Sequence, residues 1–510
     1  MDPEHTKSTE TPETRPRPKP RARQKKQKPP RNATASHRRQ ELLADTIGHT
    51  LCQPESYRPK TTPVSVADQD VPADSSLSMW LSVPIPQNIN SSAGSTYSYR
   101  TSSSSNTQPP SSSYDSRSET PSRYTGDGST ESVPQGFPRP PSNYPVKSRV
   151  VSLSKTASTR DVERIAAQYG SMSHMGLLDP SYTIFVNDER TGAICFKTLY
   201  KVAVVMGDPM CDPEHIHTLL SQFTQYRRRK HWDMAVLGAK EEVVQYYSKE
   251  KSRSTILRFA RERILNPVTN SIVNEISGKR ILTQCRHLLD TCKGGITLHI
   301  YIPSLQGPDY KLEAELRAIY DDWRAARNKS HKPQAFITEY DPFLIPNLMT
   351  YIYTTGPDGI INGFAGLRWI GANNGYHIDP CIAAPGSPNG ISDLLLFASM
   401  AYCRQLGISY LSLGYEPLEY LEPTSEMPPL IAHLTQRIYQ HTFRRLPISG
   451  KRAYFDKFKP DDDQTASVYL IFPFRIPEPR QVVAVAHIAN ISIRRLFLRE
   501  KDKVGSQNLT

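Results

Sequence analysis

Cysteine is scarce in this 510-residue chain, and its seven cysteines follow no ligand spacing. They are scattered, odd in number and include no C-x-x-C pair, so neither a disulfide framework nor a zinc site is indicated. No run of 18 apolar residues occurs, and the first residues lack both an apolar signal stretch and a myristoylation glycine. We therefore expect a reducing compartment and a cytoplasmic chain that is at most peripheral to membranes.

Motifs for nucleotides and metals are also missing. The chain has no G-x-x-x-x-G-K-[ST] loop and no H-E-x-x-H helix. We expect neither a metal nor a bound cofactor.

Positive charge is concentrated at the N-terminus. The net charge is +13, and residues 1–40 hold 12 Lys and Arg against four acidic residues. Ser, Thr, Pro, Gly and Asn dominate residues 56–148, with too little apolar area to offset the entropy of ordering. We predict a disordered tail over residues 1–149, basic and then Ser/Pro-rich. Its basic part suits RNA, anionic lipid or nuclear import, or is simply solvated.

Helix and strand patterns alternate from residue 150 onward, which predicts the α+β class. We predict two similar units, 150–305 and 306–478, followed by an amphipathic helix and tail over 479–510 that either docks on the body or lies on a membrane. Predicted elements include a helix over 213–230, another over 311–329, and strands over 335–340 and 467–472.

The stretch 388–418 organises the second unit. Its apolar run from Leu394 to Gly407 predicts a helix, and Tyr410 to Leu413 predicts a buried strand. Gly414 and Pro417 predict that this strand separates from its neighbour and leaves a cleft. This order is typical of the acyl-binding half of an acetyltransferase-like (GNAT) domain.

Four segments together resemble the catalytic domain of bacterial phosphatidylglycerol lysyl- and alanyltransferases, the DUF2156 family with two tandem GNAT folds. The segments are Gly207-Asp208-Pro209, residues 359–365 with Ile378-Asp379, residues 388–418, and Tyr439-Gln440-His441 followed by 450–460. The last matches the family's G-x-R-x-Y-x-x-K-F-x-P without a gap. The resemblance covers about residues 195–475 and implies two tandem GNAT-like domains.

What the resemblance implies is transfer of an aminoacyl group from a charged tRNA, the co-substrate, to a lipid hydroxyl. The long Ser/Pro tail without a transmembrane flippase is similar to the fungal ergosteryl amino-acid ester synthases, in their free-standing, glycine-transferring form. The expected partners are glycyl-tRNA, ergosterol or another membrane lipid, and glycyl-tRNA synthetase as a donor source, with peripheral membrane contact.

The resemblance also suggests site residues. Lys457 is the candidate cation near the reacting ester or the tRNA terminus, with Arg452 five residues before it; on an extended chain these would face opposite sides unless the backbone bends. Asp379 is the candidate for the α-ammonium group. Gln440 and His441 share a helix end, and His441 is the candidate for proton transfer because histidine is the residue type suited to it near neutral pH. The alternatives are exposed basic residues, a turn aspartate before a proline and a structural histidine.

Two departures from the family pattern concern this site. Ile382 stands where lysyl and alanyl relatives have the arginine of D-x-x-R, and Gln440 replaces a glutamate. The absence of these two charged side chains, compared with the lysyl and alanyl relatives, suits a small aminoacyl group and a neutral sterol. Glu416 is a candidate for ammonium recognition, with Tyr415 and Asp208 as further substrate-binding candidates. The candidate tRNA surface comprises Arg227, Arg228, Arg229, Lys230, Arg444, Arg445 and Lys451, together with Arg452.

Other functions stay open on the sequence. An acetyl-CoA transferase is disfavoured because two prolines in the loop 384–390 remove backbone donors that a pyrophosphate would need. A non-catalytic RNA- or membrane-binding adaptor would bind charged and uncharged tRNA equally. Alanine, lysine or aspartate, and phosphatidylglycerol as acceptor, are alternative substrates.

Overall fold

A computed structural model of the protein describes residues 41–53, 149–152, 159–249, 254–329, 340–423, 428–444 and 448–490. Most of the predicted tail lies outside these residues, and so does the strand predicted over 335–340 except for its last residue, Tyr340. The predicted α+β class is confirmed, with helices on both faces of a large mixed sheet.

Helices and strands alternate along the described chain. The helices are α1 Leu43–Leu51, α2 Thr159–Tyr169, α3 Ile216–Arg229, α4 Glu241–Lys249, α5 Lys279–Leu289, α6 Pro303–Gln306, α7 Tyr310–Asn328, α8 Ile391–Gln405, α9 Pro429–Phe443, α10 Ile448–Asp456 and α11 Pro479–Ile488. The strands are β1 Arg149–Ser152, β2 Thr183–Val186, β3 Ala193–Leu199, β4 Val202–Met206, β5 Asp233–Ala239, β6 Thr255–Leu265, β7 Thr297–Tyr301, β8 Met349–Thr355, β9 Ile361–Ile370, β10 Gly375–Ala383, β11 Leu411–Pro423 and β12 Ser467–Phe472.

The described strands form one twelve-stranded sheet in the order β1-β2-β3-β4-β5-β12-β6-β11-β10-β9-β8-β7. Two neighbouring pairs are parallel, β4 with β5 and β10 with β11, and the others are antiparallel. Each parallel pair is joined by one crossover helix, α3 or α8, as parallel strands require. The order of three antiparallel strands, a helix and a parallel strand therefore occurs twice, while the boundary at residues 305 and 306 stays a prediction.

Helix α8 is central to the second repeat. Eleven of its fifteen residues are buried, which explains why its apolar run shows no polar face. It packs against β8, β9 and β10 on one side and against α1 and α5 on the other. It carries the chain from the end of β10 to the start of β11, the two parallel strands that border the site described below.

Helix α1 lies within the segment that the sequence analysis assigned to the tail. Ala44, Ile47 and Leu51 fall on one face and are buried, and Gly48 approaches α8 so closely that a β-carbon would lie 2.9 Å from the Ala401 carbonyl oxygen. The sequence analysis missed α1 because a nine-residue helix is unstable alone and forms only where another surface covers its apolar face.

Candidate active site between two diverging strands

Strands β10 and β11 pair over only two residue pairs, Tyr376 with Leu411 and His377 with Ser412, and then separate. Beyond this point β10 continues beside β9, and β11 continues beside β6. Gly414 has a φ of +89° where the register of β11 shifts, a conformation that glycine adopts readily. We call the space between the separated strands the strand cleft, bordered by His377 and Asp379 on β10 and by Gly414 and Glu416 on β11.

His377 is a buried, neutral imidazole at the start of the strand cleft. Its Nδ1 lies 3.1 Å from the Ser412 carbonyl oxygen, which can only accept, so Nδ1 carries the proton and Nε2 keeps a lone pair. Among the described residues Nε2 has no hydrogen-bond partner. Burial, together with the positive charges of Arg368 and Lys451, lowers the pKa of His377 to about 3. His377 is therefore an oriented hydrogen-bond acceptor at neutral pH.

This tautomer is directly measurable. In protein labelled with ¹⁵N-histidine, the His377 ring is expected to keep the Nδ1–H form, without titrating, between about pH 5 and pH 8. The signal is assigned with a His377→Gln variant. Protonation of His377 above pH 5 would contradict the arrangement.

Arg368 lies beside His377 on β9, in register with it. The side chain is 1% exposed. Its Nη2 donates to the carbonyl oxygens of Ser171 and Met172, each at 3.1 Å, whereas Nε and Nη1 have no hydrogen-bond partner among the described residues. Burial lowers the pKa of Arg368 to about 10, and the Asp379 carboxylate is the main opposing charge. The Arg368 guanidinium group thus places a fixed positive charge next to His377, at the start of the strand cleft.

Asp379 is the acidic group of the strand cleft. Burial raises its pKa, while Lys451, Arg368 and a hydrogen bond from Tyr340 lower it. Lys451 belongs to α10 and was predicted to bind tRNA. The Lys451 residue is exposed overall, but its ammonium end is buried. This burial lowers the pKa of Lys451, whereas the Asp379 carboxylate raises it. The carboxylate therefore lies in the field of cations from two elements.

Glu416 is enclosed by arginines. Its side chain is 8% exposed and lies 2.9 Å from Arg261 Nη2, 3.2 Å from Arg263 Nε and 3.2 Å from Arg452 Nε. Arg263 also contacts Asp456 at 2.7 Å. These ion pairs join β6, β11 and α10. With three guanidinium groups already on this carboxylate, the geometry favours an anchoring role over the predicted recognition of a substrate ammonium group.

Lys457 and Arg452 lie on different partners. Arg452 lies within helix α10, and Lys457 directly follows this helix, so the backbone between them is not extended. Its Nζ lies 3.2 Å from Asp393 Oδ1 in the first turn of α8 and 4.6 Å from the centre of the Tyr454 ring. Lys457 therefore fastens α10 to the N-terminal end of α8, whereas Arg452 reaches Glu416 on β11.

The N-terminal end of α8 is covered by the chain itself. Asp393 occupies its first turn, Gln284 Nε2 donates to the Asn389 carbonyl oxygen at 2.8 Å, and a β-carbon on Gly390 would lie 2.6 Å from Gln284. An acidic side chain and a close-packed glutamine oppose a pyrophosphate here. This geometry agrees with the sequence argument against acetyl-CoA.

Asp208 and Tyr415 belong to a second polar cluster, at the end of the first parallel pair. Asp208 Oδ1 accepts a hydrogen bond of 2.9 Å from the Lys240 backbone, and burial raises its pKa to about 6. The Tyr415 hydroxyl donates to Ser173 Oγ, and Ser173 Oγ donates to the Gly238 carbonyl oxygen at 2.7 Å. Tyr415 follows Gly414 directly, so this cluster borders the strand cleft through β11.

Gln440 and His441 lie on α9, which packs against β11. The Tyr439 hydroxyl donates to the carbonyl oxygens of Leu418, at 2.7 Å, and Phe259, at 3.2 Å, and thereby fixes the helix to β11 and β6. Gln440 and His441 are both partly buried. Their catalytic roles stay predictions.

The basic end of α3 is only partly a surface cluster. Arg227 is buried and donates from Nη1 to the Trp232 carbonyl oxygen at 3.0 Å, so it is not placed to meet a phosphate. Arg228, Arg229 and Lys230 are exposed, as is Arg444. An open depression of about 610 Å³ on α3 includes Arg228 and Arg229. Arg445 lies outside the described residues.

Comparison with known proteins places this geometry in a family. A profile described as "Phosphatidylglycerol lysyltransferase, C-terminal" matches residues 163–471. The chain belongs to the phosphatidylglycerol lysyltransferase C-terminal family. The family predicted from the sequence motifs is thereby confirmed, and the match contains both parallel pairs and the strand cleft. The finer resemblance to the ergosteryl branch remains a prediction.

Relatives of this transferase family match in part. An MprF-like domain protein of Mycobacterium tuberculosis is 24% identical over 231 residues, which are 44% of this chain and 46% of the relative. The bifunctional lysylphosphatidylglycerol biosynthesis protein LysX of Rhodococcus jostii is 25% identical over 225 residues, 44% of this chain and 19% of the relative. The chain spans less than half the length of either relative.

The solved structure of L-PGS from Bacillus licheniformis is similar with a TM-score of 0.49 and 18% identity, covering 64% of this chain and 96% of that one. Within the described part of this family member, no helix is both long and apolar enough to span a bilayer.

Sequence reasoning missed several residues of the strand cleft. Arg368, His377 and Tyr340 were not selected, nor was the position of Lys451 beside Asp379. A signal was present for Arg368, which is the one ionisable residue in the apolar sequence of β9, whereas His377 shares β10 with Asp379. Such residues are rarely buried without a function or a partner.

Proposed function

We propose that this protein transfers an aminoacyl group from a charged tRNA to the hydroxyl group of a membrane lipid. The observation that carries the proposal is the strand cleft, in which a neutral histidine and a buried carboxylate lie against the positive charges of Arg368 and Lys451. Membership of a transferase family supports the same class of reaction.

The proposed reaction exchanges one ester for another. The lipid hydroxyl oxygen attacks the aminoacyl carbonyl carbon, the bond from that carbon to the ribose oxygen breaks, and a new lipid ester forms. The hydroxyl proton leaves the lipid, and one proton is returned to the ribose oxygen. The donor ester is already activated, so the protein has to orient two substrates and stabilise a transient negative charge.

Each group of the strand cleft has a proposed part in this exchange. Arg368 and Lys451 supply positive potential where the carbonyl oxygen becomes negative. Asp379 accepts from the α-ammonium group of the donor. His377 Nε2 accepts a hydrogen bond and orients a substrate N–H or O–H group. His441 remains the proposed proton-transfer residue, and exposed arginines on α3 and α9 are proposed to hold the tRNA.

We further propose glycine as the aminoacyl group and the 3β-hydroxyl of ergosterol as the acceptor. The support is the missing arginine at Ile382 and the neutral Gln440, which suit a small donor and an uncharged acceptor. Glycyl-tRNA synthetase is the proposed source of donor, and the protein works at the surface of a membrane.

Radiolabelled glycyl-tRNA tests the proposal when incubated with the full chain and ergosterol-containing vesicles. Label is expected in the organic extract as ergosteryl glycine, and RNase pretreatment of the donor should abolish it. Label only with alanyl-, lysyl- or aspartyl-tRNA, or only with phosphatidylglycerol vesicles, would keep the reaction and replace the substrate. No label with any donor, together with equal binding of charged and uncharged tRNA, would establish an adaptor instead.

A further inference from the structure

The direction of the strands decides where the strand cleft opens. β10 and β11 are parallel and separate after His377 and Ser412, so the space between them widens toward their C-terminal ends. β11 and β12 are both antiparallel to β6 and therefore run the same way. The strand cleft consequently opens toward the end of the sheet at which β12 also finishes.

The chain that follows β12 lies at this same end. The Thr255 backbone N–H, at the start of β6, donates to the Phe474 carbonyl oxygen at 3.0 Å, and the Thr255 hydroxyl donates to the Arg475 carbonyl oxygen at 2.7 Å. Helix α11 then packs against β4 and β5 near their starts, where Gln481 Nε2 donates to the Met234 carbonyl oxygen at 3.2 Å and Arg480 pairs with Asp233 at 2.5 Å.

Helix α11 has an unusual distribution of apolar residues. Its inward face consists of Gln481, Ala484, Val485 and Ile488, which are buried, while Val482 and Val483 are turned outward and are 47% and 36% exposed. A helix on the surface of a water-soluble protein normally exposes polar side chains and buries its valines. The arrangement of α11 is therefore not explained by its packing on the sheet.

Other exposed apolar side chains lie on or next to α11, in the chain or through a contact with it. Phe474 is 42% exposed and Ile476 is 51% exposed, directly before α11. Tyr200, 53% exposed, stacks on His487 of α11 with ring centres 6.1 Å apart. We call Phe474, Ile476, Val482, Val483 and Tyr200 the terminal apolar patch. Several exposed apolar side chains gathered on and around one helix are typical of an interaction site.

Two exposed basic residues adjoin the terminal apolar patch in sequence, and the acidic residue between Ile476 and Val482, Glu478, pairs with Arg480. Lys201 follows Tyr200 and Arg475 lies between Phe474 and Ile476, and both residues are exposed. The sequence directly after α11, residues 491–510, combines apolar residues with five basic ones, Arg494, Arg495, Arg499, Lys501 and Lys503. Apolar side chains with cations among them suit the interface of an anionic bilayer.

We infer that the terminal apolar patch docks on an anionic membrane surface and presents the open end of the strand cleft to the bilayer. The inference rests on the proposed function, because a lipid hydroxyl can enter the strand cleft from a bilayer only if the open end faces that bilayer. Phe474, Ile476, Val482 and Val483 insert among the lipid headgroups, and Lys201 and Arg475 meet lipid phosphates.

Vesicle flotation of the full chain tests the docking surface separately from catalysis. The vesicles contain phosphatidylcholine with about 20% phosphatidylserine. A variant with serine at positions 474, 476, 482 and 483 is compared with a matched control carrying serine at four exposed apolar positions elsewhere, Val268, Ile276, Tyr310 and Ile360. The patch variant is expected to lose at least about tenfold in vesicle partitioning, and the control less than about twofold.

Two further variants test the basic residues and residues 491–510 separately. The double variant Lys201→Glu, Arg475→Glu leaves the apolar residues in place and is expected to lose binding to anionic vesicles but not the weak binding to pure phosphatidylcholine. Truncation after Asn490 is expected to reduce flotation. Increased flotation after truncation would show that residues 491–510 cover the patch and would overturn the inference.

Other outcomes separate the docking surface from the proposed function. Unchanged flotation of the patch variant, or an equal loss in the matched control, would overturn the docking surface whatever the protein's activity. Loss of flotation by the patch variant, in a protein that transfers no amino acid to any lipid, would retain the surface and reject the proposed function. In detergent micelles, where no bilayer has to be reached, the patch variant is expected to transfer as fast as the natural chain.

Discussion

Asp379→Asn is expected to lower kcat/KM for lipid aminoacylation at least about 100-fold, since preorganised charge provides much of the rate in such a site. The substitution keeps the shape of the side chain but leaves Arg368 and Lys451 without the carboxylate that offsets them. Binding of charged tRNA should change little, because its proposed contacts are exposed arginines elsewhere. Steady-state transfer and filter binding measure the two effects.

The pH dependence follows from the direction of the Asp379 shift. Burial raises the pKa of this carboxyl above its ordinary value, so the charged form is lost at a higher pH than for an exposed aspartate as the solution is acidified. The acid limb of kcat/KM should be displaced upward accordingly. Asp358→Asn, in an exposed turn, is the matched control. Wild-type transfer by Asp379→Asn would remove this residue from the mechanism.

Glu416→Gln is expected to lower the free energy of unfolding by about 3 kcal/mol, the scale found when one partner of a buried ion pair is removed. The amide leaves Arg261, Arg263 and Arg452 around a neutral group. Urea denaturation measures the loss. Glu419→Gln, on the same strand but 62% exposed and 3.9 Å from Arg452, should cost less than about 0.5 kcal/mol.

The same variant separates two roles of Glu416. If this residue anchors α10 to the sheet, Glu416→Gln should retain transfer per folded molecule at low temperature, with KM for charged tRNA within about threefold of the natural value. A large increase in KM without loss of stability would restore the predicted recognition of the α-ammonium group and contradict the anchoring role.

Local periodicity predicted most of the elements. The helix predicted over 311–329 is α7, Tyr310–Asn328, and the strand predicted over 467–472 is β12. β11 is much longer than the predicted 410–413, because Gly414 and Pro417 are accommodated by shifts in register with β6 instead of ending the strand. Helix α10 was not among the predicted elements, since this short helix depends on contacts with β11 that are remote in sequence.

The candidate site was less predictable than the elements. Motif matches identified Asp379, Arg452 and Lys457, yet the structure attaches the last two to Glu416 and Asp393. Partners such as these depend on the order of the strands, which local sequence does not determine. The pairing of Arg368 with His377 could not be predicted, because the register between β9 and β10, and not spacing along the chain, brings them together.

The position of β12 has a consequence for biosynthesis. This strand comes late in the chain yet lies between β5 and β6. Until residue 472 has left the ribosome, β5 and β6 both lack a neighbour and expose unpaired backbone edges, which are templates for aggregation. The central sheet of the nascent chain therefore stays incomplete until β12 has been synthesised. A chain truncated shortly before residue 467 would contain every residue of the strand cleft but could not join β5 to β6 through β12.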